Sequence, residues 1–334
     1  MLRCVKPRVG ALLLELMPAD TAGLIQRLDL RVTSKNLPRA VENQLNDAFL
    51  VGGKKVRPAL CFLMGQLMGL SAEKLTPYAR AAELTHMASI AHDDVIDEAD
   101  RRRNMPSLNS ATSNAAAVLA GDLLLARVMS EISSLGNLLI IQDLANAVED
   151  LVTGELLQLE NRKKTDITFS ALERVSSLKT GSLMSWCCTV GARLVNRSDE
   201  LTHAAQLFGE SLGIAFQMID DILDFEVTSE KPFAQDLREG LVNFVVAELI
   251  HGDSTLASPV SKILGSPQPG VWPWTDEQLA IAKAEVRTKA SERLADARKN
   301  LDTIRTLSGA TGPSSDHALQ SLEAVLSFLS LRIV

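Results

Sequence analysis

Along most of the chain apolar residues recur at i, i+3, i+4 and i+7, the period of helices that bury one face. The pattern predicts helices over 11–31, 36–50, 55–70, 74–97, 112–133, 138–160, 168–195, 198–226, 233–250, 276–307 and 315–333. Runs of β-branched and aromatic residues at period 2 are scarce, so the expected fold class is all-α. Gly52-Gly53, Pro77, Pro106 and Pro232 mark joints, while Pro58 suits the first turn of its helix, where a missing N–H costs nothing. Residues 251–275 interrupt the periodicity with Pro259, Pro267, Pro269, Pro273, Gly252, Gly265 and Gly270. Trp272 and Trp274 lie in this loop and are expected to pin it onto the body. Long helices with short joints, and no internal repeat, predict a single domain over 1–334.

A chain of 334 residues, 46% of them hydrophobic, can bury a substantial core. Its net charge of −7 argues against nucleic acid as a partner, so an anionic ligand must be met by local groups of Lys and Arg. Cys4, Cys61, Cys187 and Cys188 have no metal-ligand spacing, and the adjacent pair reads as helix core in a reducing compartment. No apolar run reaches the length of a membrane span. Arg3, Lys6 and Arg8 precede the apolar stretch Ala11–Leu14, but Glu15 ends it, so a cytoplasmic protein is expected, with an upstream targeting segment as the alternative.

Two short stretches change the picture from a bundle to a candidate enzyme. His92-Asp93-Asp94-Val95-Ile96-Asp97 ends one apolar helix, and Gln217-Met218-Ile219-Asp220-Asp221-Ile222-Leu223-Asp224 lies in another. In each, the first and last Asp are four apart, which places both carboxylates on one helical face. Like charges at that spacing repel, and among apolar neighbours unpaired carboxylates are expensive, so a cation should compensate them. Mg²⁺ takes hard oxygen ligands, usually one or two carboxylates completed by water and substrate phosphates. Two such clusters facing each other across a bundle would hold several Mg²⁺ ions and a diphosphate.

Basic residues stand near these clusters. Gly52-Gly53-Lys54-Lys55-Val56-Arg57-Pro58 sets cations beside glycines that allow close approach to phosphate oxygens. Arg102 and Arg103 follow the first cluster, Lys231 follows the second, and Lys179-Thr180 adds further donors.

With these motifs in order, the sequence resembles the trans-isoprenyl diphosphate synthase family over residues 10–333. The motifs are Gly52 to Pro58; Glu83 and His86 ahead of Asp93 to Asp97; Arg102-Arg103; Gly121-Asp122; Gly154-Glu155; Lys179-Thr180; Phe216 to Asp224; Lys231-Pro232; and Gln235-Asp236-Leu237. The resemblance implies an all-α fold of antiparallel helices around a deep central cavity. It implies sequential condensation of isopentenyl diphosphate onto an allylic diphosphate, dependent on Mg²⁺, with three ions when substrate is bound. It implies that Asp93, Asp97 and Asp220 ligate Mg²⁺, with Asp94, Asp221 and Asp224 in support. Lys54, Arg57, His86 and Arg103 would hold isopentenyl diphosphate, and Arg102, Lys179, Thr180, Gln217 and Lys231 the allylic diphosphate. A homodimer, with a peripheral membrane contact for product release, is also what it implies. Asn104 and Ala234 stand where many members have Gly, and Leu241 where short-chain members have a further Lys.

Helix spacing puts Ser89 one turn below Asp93, Ala88 beside it and Thr85 two turns down. In the resembled family bulky aromatics at positions 88 or 89 floor the product pocket. Small residues here therefore predict a product beyond geranylgeranyl diphosphate, in the hexaprenyl to decaprenyl range, and Ala88→Phe is expected to shorten it. The alternatives are a short-chain synthase, a subunit of a heteromeric synthase, a class I terpene cyclase and a purely structural bundle. The intact second Asp cluster argues against the last two.

Overall fold

The computed structural model describes residues 19–33, 37–51, 53, 55–102, 105–196, 198–226, 233–266 and 271–333. Its elements in chain order are α1 (Ala19–Gln26), α2 (Arg39–Gln44), α3 (Val56–Leu67), α4 (Ala72–Ile96), β1 (Arg101–Arg102), β2 (Met105–Pro106), α5 (Leu108–Ala111), α6 (Asn114–Ser134) and α7 (Leu138–Asn161). There follow α8 (Phe169–Ser176), α9 (Ser182–Val195), α10 (Asp199–Leu223), α11 (Gln235–Arg238), α12 (Phe244–Gly252), α13 (Ala257–Ile263), α14 (Asp276–Ser308) and α15 (Pro313–Ile333). The two strands make one small antiparallel hairpin, and the fold class is all-α, as the helical period predicts.

Several boundaries differ from the pattern. Pro77 marks no joint but lies in the second turn of α4, where it leaves the Glu73 carbonyl without its i+4 N–H donor yet does not end the helix. The segment 233–250 is not one helix: α11 stops at Arg238, and Gly240 at φ +87° turns the chain into α12. The Pro-rich region contains a 3₁₀ turn (Ser254–Leu256) and α13. Two π-helical turns, Leu45–Phe49 and Ser177–Gly181, interrupt otherwise α-helical stretches.

The chain divides into two compact units, one of Met1–Ala145, Cys187–Thr202 and Arg305–Val325, the other of Asn146–Trp186, His203–Ile304 and Leu326–Val334. In the first, Leu60, Phe62, Leu63, Met64 and Leu67 of α3 are fully or almost fully buried, as are Leu75 and Leu84 of α4. The crossing is tight because Gly65 has no side chain: a Cβ there would lie 2.3 Å from Leu75 Cδ2. Gly191 approaches the same glycine, its Cβ position 2.9 Å from Gly65 Cα, which seats Cys187 and Cys188 in the core as the sequence suggests. Burial pushes the Cys187 thiol up to about 12, so it stays protonated. Cys4 lies outside the described residues.

In the second unit Phe208 and Phe244 are buried, and the Phe169 ring lies 4.7 Å from that of Phe244. Phe225 meets Phe233 edge-on at 5.5 Å, Phe233 meets Trp272 at 5.2 Å, and Trp272 stacks on Trp274 at 5.3 Å. The two tryptophans thus pin their loop, and what they pin it to is the residue that follows Asp224. Among the described residues, no helix is long and apolar enough to cross a membrane.

Candidate active site

The three aspartates of the first cluster are not equivalent. Asp94 is buried, and its Oδ1 accepts from Arg102 Nε at 2.6 Å with Nη2 also 2.6 Å away. Such charge-assisted contacts from one guanidinium bring the hairpin that carries Arg102 back onto the end of α4. Asp93 and Asp97, one turn apart, are half-buried on the same face as His86 and Ser89. His92 ties the end of α4 to α6: its Nε2–H donates to Val118 O at 3.1 Å and lies 3.4 Å from Asp122 Oδ1. A Cβ on Gly121 would fall 2.3 Å from that ring nitrogen, which is a steric reason for the Gly-Asp pair at 121–122.

The second cluster divides in the same way. Asp221 is buried; its Oδ1 accepts from Gln217 Nε2 at 2.9 Å and its Oδ2 from the Phe244 N–H at 3.0 Å. Asp224, also buried, accepts from the Gln235 N–H at 3.0 Å and the Asp236 N–H at 3.2 Å. These N–H groups begin α11 and α12 and have no partners inside their helices, so two cluster carboxylates serve as helix caps. Asp220 remains half-buried. Burial, then the charge of Asp236, drives the Asp221 carboxyl well above its ordinary range. Asp236, half-buried and near Asp224, is pushed up to about 7, first by loss of water around its carboxyl and then by the Asp224 charge, despite a hydrogen bond from Asn243 Nδ2.

Basic residues are held from behind. The π-helical turn after α8 carries Lys179, whose Nζ pairs with the buried Glu155, and Thr180, whose Oγ1 donates to Gln217 Oε1 at 3.4 Å. Gln217 in turn donates to Asp221, which ties this turn to the second cluster. Arg57, in the first turn of α3, has a buried Nε with no hydrogen-bond partner among the described residues. Burial lowers its pKa, opposed by the charge of the buried Glu83. Lys54, Arg103 and Lys231 lie outside the described residues. Below Asp93, Thr85 and Ala88 are buried, and Ser89 is half-buried with its Oγ donating to His86 O at 2.9 Å.

Glu83, Glu155, Asp236 and Asn243 stand in or beside the sequence motifs, yet periodicity gives them no role. The available signal is an acid inside an apolar helix, which requires a buried cation or a proton. Among the described residues no three His, Cys, Asp or Glu side chains converge as a metal centre. That does not conflict with Mg²⁺, which takes most of its ligands from water and substrate oxygens and often only one or two from carboxylates. Asp93 and Asp97 in the first unit, and Asp220 in the second, each offer half-buried hard-oxygen donors of that kind.

Fold and site together define an all-α prenyltransferase with the isoprenoid synthase fold. The family model described as polyprenyl synthetase matches residues 38–269, and the chain belongs to that family. It is 38% identical over 225 residues to a prenyl transferase of Synechocystis, covering 64% of this chain and 70% of that one. Over 277 residues it is 34% identical to heptaprenyl diphosphate synthase component 2 of Geobacillus stearothermophilus, covering 79% and 84%. The solved decaprenyl diphosphate synthase of Rhodobacter capsulatus superposes with a TM-score of 0.77 at 27% identity, covering 96% of this chain and 98% of that one. Enzymes of the family use isopentenyl and allylic diphosphates and generally depend on Mg²⁺.

Proposed function

We propose that this chain is an all-trans polyprenyl diphosphate synthase that extends an allylic diphosphate with isopentenyl diphosphate to a product longer than C20. The observation that carries the reading is the division of labour inside both Asp clusters: Asp94, Asp221 and Asp224 are buried anchors, while Asp93, Asp97 and Asp220 stay half-buried. Those last three would be the residues that hold Mg²⁺, three ions with substrate bound. When present, the metal supplies Lewis-acid stabilisation of the leaving diphosphate.

The protein's own groups do the rest. Lys179, Thr180 and Gln217, with Arg102 and Lys231, fix the allylic diphosphate and offset charge as its C–O bond breaks. Arg57 and His86, with Lys54 and Arg103, fix isopentenyl diphosphate so that its double bond attacks the allylic carbon. The orphaned Arg57 Nε suits an incoming phosphate oxygen. The proton lost from the new C–C unit goes to the departing diphosphate. Small side chains at Ala88 and Ser89 leave the growing chain unblocked, and the heptaprenyl and decaprenyl names of the relatives support a long product. The working enzyme is a cytoplasmic homodimer that releases product at a membrane surface.

A second reading, a catalytic subunit that needs a separate partner, draws on the word component in the name of the Geobacillus relative. One assay separates the two: purified chain with Mg²⁺, farnesyl diphosphate and labelled isopentenyl diphosphate, products sized by chromatography. Products beyond C20 from the chain alone support the first reading. Silence alone, with activity on adding the partner, supports the second. Products of C20 or shorter overturn the length assignment. Asp93→Ala and Asp220→Ala should each lower kcat by roughly 10²-fold or more.

A further inference from the structure

The turn that carries Lys179 is gripped by backbone contacts that leave little freedom. On one side Gly154 of α7 lies against it: a Cβ there would sit 2.8 Å from the Lys179 backbone nitrogen and 3.0 Å from Leu178 Cβ. On the other, Gly213 of α10 approaches so closely that a Cβ would come 2.6 Å from Gly181 Cα. Ser177, which opens the turn, donates to Glu210 Oε1 at 2.6 Å. A π-helical turn costs hydrogen-bond geometry and recurs at functional sites, so its retention between two close contacts needs a purpose.

The side chain is held as well. Glu155 follows Gly154 directly, is buried, and pairs with Lys179 Nζ. Its other oxygen lies 3.4 Å from the Gln158 amide, which donates to it. A buried ion pair is weak support for stability, since apolar residues of the same volume would serve as well or better. What such a pair does supply is an ammonium confined to one place on an otherwise flexible stem.

We propose that Glu155 is a positioning residue of the reaction, acting through Lys179 to hold its ammonium where the allylic diphosphate leaves. The inference rests on the assignment of Lys179 to that diphosphate. It adds a second function for the Gly-Glu pair: Gly154 admits the turn and Glu155 aims its cation. A carboxylate so near a bound anion lowers net attraction for it, so its benefit lies in orientation and shows in turnover.

The test compares Glu155→Gln, Glu155→Asp, Lys179→Met and the double variant Glu155→Gln with Lys179→Met. Steady-state kinetics are run separately for each substrate, with thermal melting as the check on folding. Loss of a supporting carboxylate should lower kcat roughly 10- to 100-fold in Glu155→Gln, with KM for the allylic diphosphate no higher than in wild type and KM for isopentenyl diphosphate unchanged. Glu155→Asp, which keeps the charge, should recover part of that loss. The double variant removes the buried Glu155 charge and its half-buried Lys179 partner together, and so should fold even where Glu155→Gln alone does not. Its kcat/KM should equal that of Lys179→Met, because residues acting as one unit are not additive. Wild-type kinetics in Glu155→Gln, or a double variant slower than Lys179→Met by a further factor, would overturn the inference. A silent Lys179→Met would instead remove the assignment of Lys179 and the inference with it.

Discussion

Ser89 and Ala88 are neighbours in sequence with different surroundings. Ser89 is half-buried on the stripe that includes His86, Asp93 and Asp97, whereas Ala88 has 0% exposure. An aromatic ring at 89 can project along that stripe without displacing core atoms; at 88 it must overpack. Ser89→Phe should therefore shorten the product with little loss of stability, read by sizing the products and by melting. Ala88→Phe should cost ~1–3 kcal/mol of stability, read as a lower Tm, whatever it does to length. The sequence made the small residues visible but not which of them faces the stripe. More than half of α4 is buried, so apolar periodicity cannot phase the helix. The roles of the six cluster aspartates are hidden for a similar reason. Spacing places them on faces, but capping partners such as the Phe244 and Asp236 N–H groups come from more than ten residues away.

At the scale of elements, the helices around the clusters were legible because each is long enough for a 3.6-residue apolar period to repeat several times. The π-helical turn at Ser177–Gly181 was not, and 168–195 reads as one unbroken helix. One wide turn shifts the apolar phase too little to register in so short a window. Only the glycines hint at it, and they do so through contacts between helices. Gly213→Ala should lower stability by ~1–3 kcal/mol, because the added methyl meets backbone at Gly181 and not a movable side chain. Urea denaturation of the variant with a wild-type control measures it; an unchanged midpoint would show that the close approach is relaxed in solution. The hairpin at Arg101–Pro106 was also missed, because two-residue strands carry no usable alternation.

Over the whole molecule, the net charge of −7 directs attention to local cations, and it says nothing of how the acids themselves titrate. Asp236 holds its proton up to about pH 7, chiefly through burial and then through the charge of Asp224. An unfolded chain loses that proton near pH ~4. Between those values the folded state binds more protons than the unfolded one, so this group makes stability fall as pH rises from about 4 towards 7. Asp221 acts in the same direction. In EDTA, wild type should lose Tm relative to Asp236→Asn between pH 5 and pH 7.5; parallel curves would refute the assignment. No pattern in the sequence foretells this, because Asp236 meets Asn243 and the Asp224 charge only once the chain has turned at Gly240 and folded back on the second cluster.

Trp274 touches Phe225, the residue after Asp224, and Trp272 reaches it through Phe233. Indole emission responds to small changes in ring stacking, so this protein carries its own optical reporter within a few side chains of an acidic cluster. Titrating Mg²⁺ with inorganic pyrophosphate should change emission in wild type and leave it flat in Asp220→Ala. Occupancy can then be followed without label and without turnover.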